Sequence, residues 1–325
     1  MWFNSTKILL SNTMMMGVIM VICSNNWISM WSGLEIMMLS FMPFMQNENQ
    51  LSSESMMKYF ITQSIASTLF LLGISIMLVG DNMMVIEMIM TTSMLIKLGS
   101  APFHNWVMLV IEPLKTLPIT VLLTIMKVPP LLILHQIESS LLVIPTMMGM
   151  LTAISCINQS SVRKIMGYSS VYNMSLMLVL IKNLILTYTF IVIYSTMLTM
   201  FMLLAKNMKI SHLNQLVFNE FNPWIKINLF MNMLSMAGFP PLMGFFNKIM
   251  TMQILINENN MILIMIMSLT SMLVMMFYMR MTFSTIITLY SFKKWVINSN
   301  NTSYFNMILN MTLLPIMFSN LSLVK

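Results

Sequence analysis

MLIKLGSAPFHNW, residues 94–106, ends an apolar run with a charge at Lys97 and then breaks it at Gly99 and Pro102. The same design returns in MAGFPPLMGFFNKIM, residues 236–250, where Gly238, Pro240, Pro241 and Gly244 precede Lys248. A proline that interrupts a helix frees backbone carbonyls, and a bilayer tolerates this only where protein or water satisfies them. Outward from both breaks the chain stays apolar: 58% of its 325 residues are hydrophobic and 8% charged, against roughly 45–50% apolar and about 25% charged in a soluble domain. A water-soluble globular protein is excluded. The expected fold is all-α, a polytopic membrane protein.

A hydrocarbon core about 30 Å thick needs about 20 apolar residues per helix. Apolar runs bounded by charges, Asn clusters, Gly or Pro predict eleven spans, near 5–24, 27–46, 57–79, 83–98, 118–137, 141–158, 168–181, 184–205, 227–250, 260–280 and 304–323. The apolar stretch after Lys7 reads as the first helix, since no small-residue cleavage site follows it. The two breaks lie in the fourth and ninth spans, five helices apart, so their helices run in opposite directions. Paired interrupted helices of this kind mark the inverted repeats and transport sites of many transporters. The single transmembrane domain, 1–325, then divides into a first half, 1–137, with repeat one, a second repeat, 141–282, and a final helix, 304–323.

Of the 16 Lys and Arg, eleven fall on one side of these spans, Lys7, Lys58, Lys115, Arg163, Lys206 and Arg280 among them. Lys293 and Lys294 share that side, and the other side holds Lys182 and Lys325. The net charge of +7 thus reflects loop asymmetry, which places the N-terminus inside and the C-terminus outside. The remaining three, Lys97, Lys127 and Lys248, lie within apolar segments, and Glu35 joins them in WSGLEIMMLSFMP, residues 31–43, where Gly33 allows close helix approach.

A Lys or Asp at the bilayer centre costs about 2.5–3.5 kcal/mol on insertion scales and marks a functional position by default. Lys97 and Lys248, near helix ends, can also snorkel to the interface. Lys127, in LLTIMKVPPLLIL at 122–134, is nine residues from Pro118, about 13 Å at 1.5 Å per residue, the limit of its stem's reach. Low dielectric disfavours a charged amine and a neighbouring carboxylate restores it, so such a pair can load and release a proton.

The other polar residues carry less. Asp81, Glu87, Glu112 and Glu138 sit at or near span ends, and His104, His135 and His212 lack metal-ligand spacing. Cys23 and Cys156 provide neither a disulfide framework nor an iron-sulfur ligand set. No nucleotide-binding or nucleophile-elbow motif occurs, and neither nucleotide nor nucleic acid is expected to bind. The 47 methionines are spread through almost every apolar segment in place of Ile and Leu rather than gathered into a groove. That distribution fits an AT-rich animal mitochondrial gene, in which ATA is read as Met.

Several segments in order resemble one family: WSGLEIMMLSFMP, ESMMKYFITQSIAS at 54–67, MLIKLGSAPFHNW, the Lys127 segment, RKIMGYSS at 163–170 and MAGFPPLMGFFNKIM. They are similar to subunit 2 of animal mitochondrial NADH:ubiquinone oxidoreductase, an antiporter-like subunit of the complex I membrane arm. The resemblance implies two inverted five-helix repeats, eleven helices after loss of three N-terminal ones, and an N-terminus in the matrix. Proton-transfer residues map onto Glu35 paired with Lys97 at the first break, Lys127 at the centre, and Lys248 at the second break. It implies no cofactor in this chain, with NADH, FMN, iron-sulfur clusters and ubiquinone bound by other parts of a hetero-oligomer in the mitochondrial inner membrane. The neighbours implied are other membrane-arm subunits and lipids. The sequence departs from the family at Val107-Met108-Leu109, at Met126, at Asn247-Lys248-Ile249, where Pro-Lys-Trp is usual, and at Asn173-Met174-Ser175-Leu176.

The expected function is proton translocation across the inner membrane, coupled to electron transfer from NADH to ubiquinone, with no redox step in this chain. The chain counts as an enzyme only as a subunit of that translocase. An independent cation/proton antiporter and a non-conducting scaffold subunit are the rival readings.

Overall fold

Gly17 and Gly33 set the first contact of the fold. A Cβ on Gly17 would meet the Gly33 carbonyl oxygen at 2.8 Å, and one on Gly33 would meet Val21 Cγ2 at 2.7 Å. Lipid gives apolar helices no hydrophobic reason to associate, so close packing through small residues supplies the attraction. The helices so joined are α1 (Ser5–Cys23) and α2 (Trp27–Met45).

The structure, a computed structural model, describes residues 5–47, 49–80, 83–137, 142–215 and 223–287. The helix expected at 304–323, the C-terminal Lys325, and Asp81, Glu138, Lys293 and Lys294 lie outside the described residues. The chain continues with α3 (Gln50–Val79), α4 (Met83–Leu98), α5 (Asn105–Ile111), α6 (Thr116–Leu123), α7 (Val128–Ile137), α8 (Val143–Cys156), α9 (Val162–Leu180) and α10 (Leu184–Asn207). It ends with α11 (Pro223–Ala237), α12 (Met243–Asn257) and α13 (Met261–Ile287). Among the described residues there is no strand, and Ser161 and His212 form an isolated antiparallel bridge.

Among the described residues, six helical stretches are long and apolar enough to cross a membrane: Ser5–Cys23, Trp27–Met45, Gln50–Val79, Thr116–Ile137, Leu184–Asn207 and Met261–Phe283. Their outward faces are apolar, as on α13, where Met265, Leu269, Met272 and Met276 are exposed. Methionine fills buried positions as readily, at Met30, Met45, Met94 and Met233. It therefore does the work of Ile and Leu throughout.

The third helix begins at Gln50, earlier than expected at 57, and carries Lys58 and Glu54 one turn apart as an exposed ion pair (2.6 Å). The span expected at 227–250 is two helices, α11 and α12, separated by the break. Helix α11 begins at Pro223, ahead of the start expected at 227, so Lys226 is a buried residue in its first turn rather than a loop charge.

The chain forms two compact units, residues 1–149 with 181–184, and 150–180 with 185 onward. In the first, α1, α2, α3 and α4 pack in succession, α7 lies against α4, and His135 Nδ1 meets the Ile181 carbonyl at 2.7 Å. In the second, α11 packs on α12 and α13, and α12 also packs on α9.

Candidate functional site

Gly99 ends α4 in the left-handed region (φ 63°). Its N–H donates to the Ile96 carbonyl (3.1 Å) and that of Ser100 to Leu95 (3.1 Å), the paired closure that satisfies the last carbonyls of a helix and favours glycine. Trp106 Nε1 adds a bond to the same Ile96 oxygen (3.1 Å). The Lys97 carbonyl accepts from Gln63 Nε2 of α3 at 3.4 Å. Protein groups thus answer for the carbonyls this break releases.

Lys97 occupies the last turn of α4, and its side chain is 4% exposed. Its ammonium lies 3.8 Å from Glu35 Oε1 of α2. No hydrogen-bond partner other than this ion pair meets that buried oxygen. The first break therefore carries the carboxylate–amine pair expected of it.

Lys127 sits at a third interruption, which the apolar run at 118–137 hid. Residues Ile125–Lys127 form a single 3₁₀ turn between α6 and α7. The cause is Pro129-Pro130: each proline lacks an N–H and its ring crowds the carbonyl four residues back, at Ile125 and Met126. The chain tightens instead, with Lys127 N–H donating to Thr124 O (3.2 Å) and Val128 N–H to Ile125 O. Lys127 is 5% exposed.

Lys97 and Lys127 line one cavity of about 20 Å³, with Tyr59, Gln63, Trp106 and Met126 among its other walls. A cavity of that size holds about one water molecule, provided polar groups receive it. Three aromatic rings brace the wall, Phe41 against Tyr59 (5.2 Å) and Tyr59 against Trp106 (5.9 Å).

The second unit repeats the device at Lys248. Gly238 closes α11 in the left-handed region (φ 72°), with Gly238 N–H donating to Ser235 O (3.0 Å) and Phe239 N–H to Leu234 O (3.2 Å). Both breaks thus end their helices by the same pair of bonds. Here the lysine comes from beyond the break: Lys248 Nζ folds back to donate to the Ala237 carbonyl at 2.6 Å. A Cβ on Gly238 would stand 2.6 Å from Lys248 Cε and 2.8 Å from Nζ. Glycine at 238 makes room for the amine.

All four expected residues are thus at helix interruptions or paired across one. Gln63, Tyr59 and the third break were not anticipated. Gln63 falls four residues after Tyr59 on one face of α3, and a polar residue recurring at helical spacing in an apolar run was the available signal. Glu112 is exposed at the end of α5, and Glu87 lies in the first turns of α4. Cys23 and Cys156 are free. Among the described residues no His, Cys, Asp and Glu cluster could hold a metal ion.

The profile of the family described as NADH:quinone oxidoreductase/Mrp antiporter, TM, matches residues 24–274. The chain is 34% identical over 307 residues to the NADH-ubiquinone oxidoreductase chain 2 of Locusta migratoria, covering 91% of this chain and 90% of that one. It is 34% identical over 329 residues to the Bos taurus protein of the same name, covering 94% and 92%. Among solved structures it resembles a chain of respiratory complex I from Thermus thermophilus with bound Aureothin, with TM-score 0.79 and 18% identity over 99% of this chain and 79% of that one. It also resembles a chain of the Mrp complex from Dietzia sp., with TM-score 0.76 and 14% identity over 90% and 62%. At these identities the two solved structures speak to the fold.

Proposed function

The chain belongs to the NADH:quinone oxidoreductase/Mrp antiporter membrane family, within it to NADH-ubiquinone oxidoreductase chain 2, and from that premise we propose how its residues move protons. It is an antiporter-like subunit of the complex I membrane arm and takes part in proton translocation. Glu35 and Lys97 form the loading pair, Lys127 is the central carrier, and Lys248 serves the second half. A proton on Lys97 is held by the Glu35 carboxylate until it passes through water in the shared cavity to Lys127, whose amine takes it up as Lys97 becomes neutral. The observation that carries this reading is the joint placement of Lys97 and Lys127 on one cavity of about 20 Å³ with Glu35 3.8 Å behind Lys97.

The wider account has eleven membrane helices in two inverted five-helix repeats over 1–137 and 141–282, with a last helix at 304–323. The matching closures at Gly99 and Gly238 support the repeat. The N-terminus faces the matrix and the C-terminus the intermembrane space. The partners are other membrane-arm subunits and lipids, and the chain holds no cofactor. NADH, FMN, iron-sulfur clusters and ubiquinone belong to other parts of the translocase. Purification in mild detergent tests the assignment against an independent antiporter: co-migration with a large NADH-oxidising assembly is expected, and a stable monomer that exchanges cations for protons overturns it.

A further inference from the structure

Helix α11 carries polar residues that the four-residue account does not use. Asn228, Asn232 and Ser235 lie at i, i+4 and i+7, one face of the helix, and all three are buried. Asn232 Nδ2 donates to Asn228 Oδ1 at 3.3 Å. At the far end of this face the Ser235 carbonyl lies against Gly244 of α12, so closely that no Cβ would fit there. One turn further along α12 stand Asn247 and Lys248, the latter on the Ala237 carbonyl. Asn247 is 5% exposed, and its Oδ1 has no hydrogen-bond partner. The opposite end of α11 holds the buried Lys226, about 16 Å away at 1.5 Å per residue.

Amides are costly in hydrocarbon unless satisfied, and an orphaned carbonyl oxygen more so. Asn247 adds such an unpaired acceptor beside Lys248, one turn along α12 from the Ser235–Gly244 contact. We propose that Asn228, Asn232 and Asn247 form a polar file that holds water and delivers protons to Lys248 from the Lys226 end of α11. The inference rests on the assignment of Lys248 to proton transfer, and on the topology that puts Lys226 on the matrix side. A proton enters from the aqueous phase, passes along hydrogen-bonded water, and ends on Lys248 Nζ. Each asparagine keeps its own protons and orients the water, the amide being donor and acceptor at once. These are positioning residues.

The test uses the assembled complex in sealed vesicles. Asn228→Leu with Asn232→Leu removes both members of a hydrogen-bonded pair and so leaves no orphan between them. Asn247→Leu removes the unpaired acceptor, and Lys248→Met is the reference. Per assembled complex, the asparagine variants and Lys248→Met are all expected to lower NADH:ubiquinone turnover about tenfold, a change readily read from rates. Asn232→Gln, which retains an amide, restores turnover to a level that a merely packing role would not. Full turnover in the asparagine variants beside a defective Lys248→Met overturns the polar file and leaves Lys248 its role. Full turnover in Lys248→Met as well overturns the reading beneath it. Should the variants fail to assemble, a density map of the unmodified complex decides: ordered water bonded to Asn247 Oδ1 supports the file, and apolar side chains closed over it without water overturn it.

Discussion

Gly238 and Gly80 both adopt left-handed backbone, at φ 72° and 85°, but of the two only Gly238 faces an amine, that of Lys248. Around Gly80 a Cβ would meet nothing within 4 Å, so Gly80→Ala carries the backbone cost alone, about 1–2 kcal/mol. Gly238→Ala adds a collision with Lys248. Thermal denaturation of the purified complex should show destabilisation in both, whereas NADH:ubiquinone turnover should fall only in Gly238→Ala. Equal turnover in the two would show that Lys248 does not depend on the space glycine leaves. Glu35 and Lys97 give a second comparison, because residues that act as a unit lose function together. Glu35→Gln and Lys97→Met should each lower turnover, and their combination should lower it no further than the worse single change. Additive losses would place the two residues in separate steps.

At the scale of elements, much was legible because the physics is local. Gly99 with Pro102, and Gly238 with Pro240 and Pro241, announce helix ends in any apolar run, and the insertion cost of a lysine in such a run marks it as a candidate. The break at Lys127 was legible too, since Pro129 and Pro130 each strip a hydrogen bond from the turn before, yet an uninterrupted apolar pattern masked it. Gln63 was not identifiable as the residue that answers for the Lys97 carbonyl, because that bond joins α3 to α4 across 34 positions. Direction was equally hidden: no spacing rule says that Lys248 folds back onto Ala237. The α1–α2 contact makes a packing prediction. Gly17→Val would drive a branched side chain into the Gly33 carbonyl, and overpacking typically costs about 1–3 kcal/mol. Less assembled complex on a native gel, with normal turnover in what remains, is the expected result; lowered turnover per complex would mean that α1 also positions Glu35.

For the whole molecule, the basic asymmetry across the spans predicts sidedness. In intact mitoplasts, protease should remove a C-terminal epitope at Lys325 while the segment from 206 to 226 stays protected, and the reverse pattern would invert the topology. The central claim, that lysine amines carry protons through this subunit, concerns the assembly as a unit because pumping and redox turnover are coupled there. Lys127→Met keeps the length of the side chain and deletes its titratable amine, and removing a buried charge also removes its desolvation cost, so assembly should survive. Lys127→Arg keeps a charge that cannot be given up. The decisive measurement is NADH:ubiquinone turnover together with proton translocation in the assembled Lys127→Met complex, with Lys127→Arg beside it. The account predicts that both variants lose both activities by about tenfold or more, a barrier increase of about 1.4 kcal/mol or above; unchanged turnover with unchanged protons per electron in Lys127→Met would contradict it.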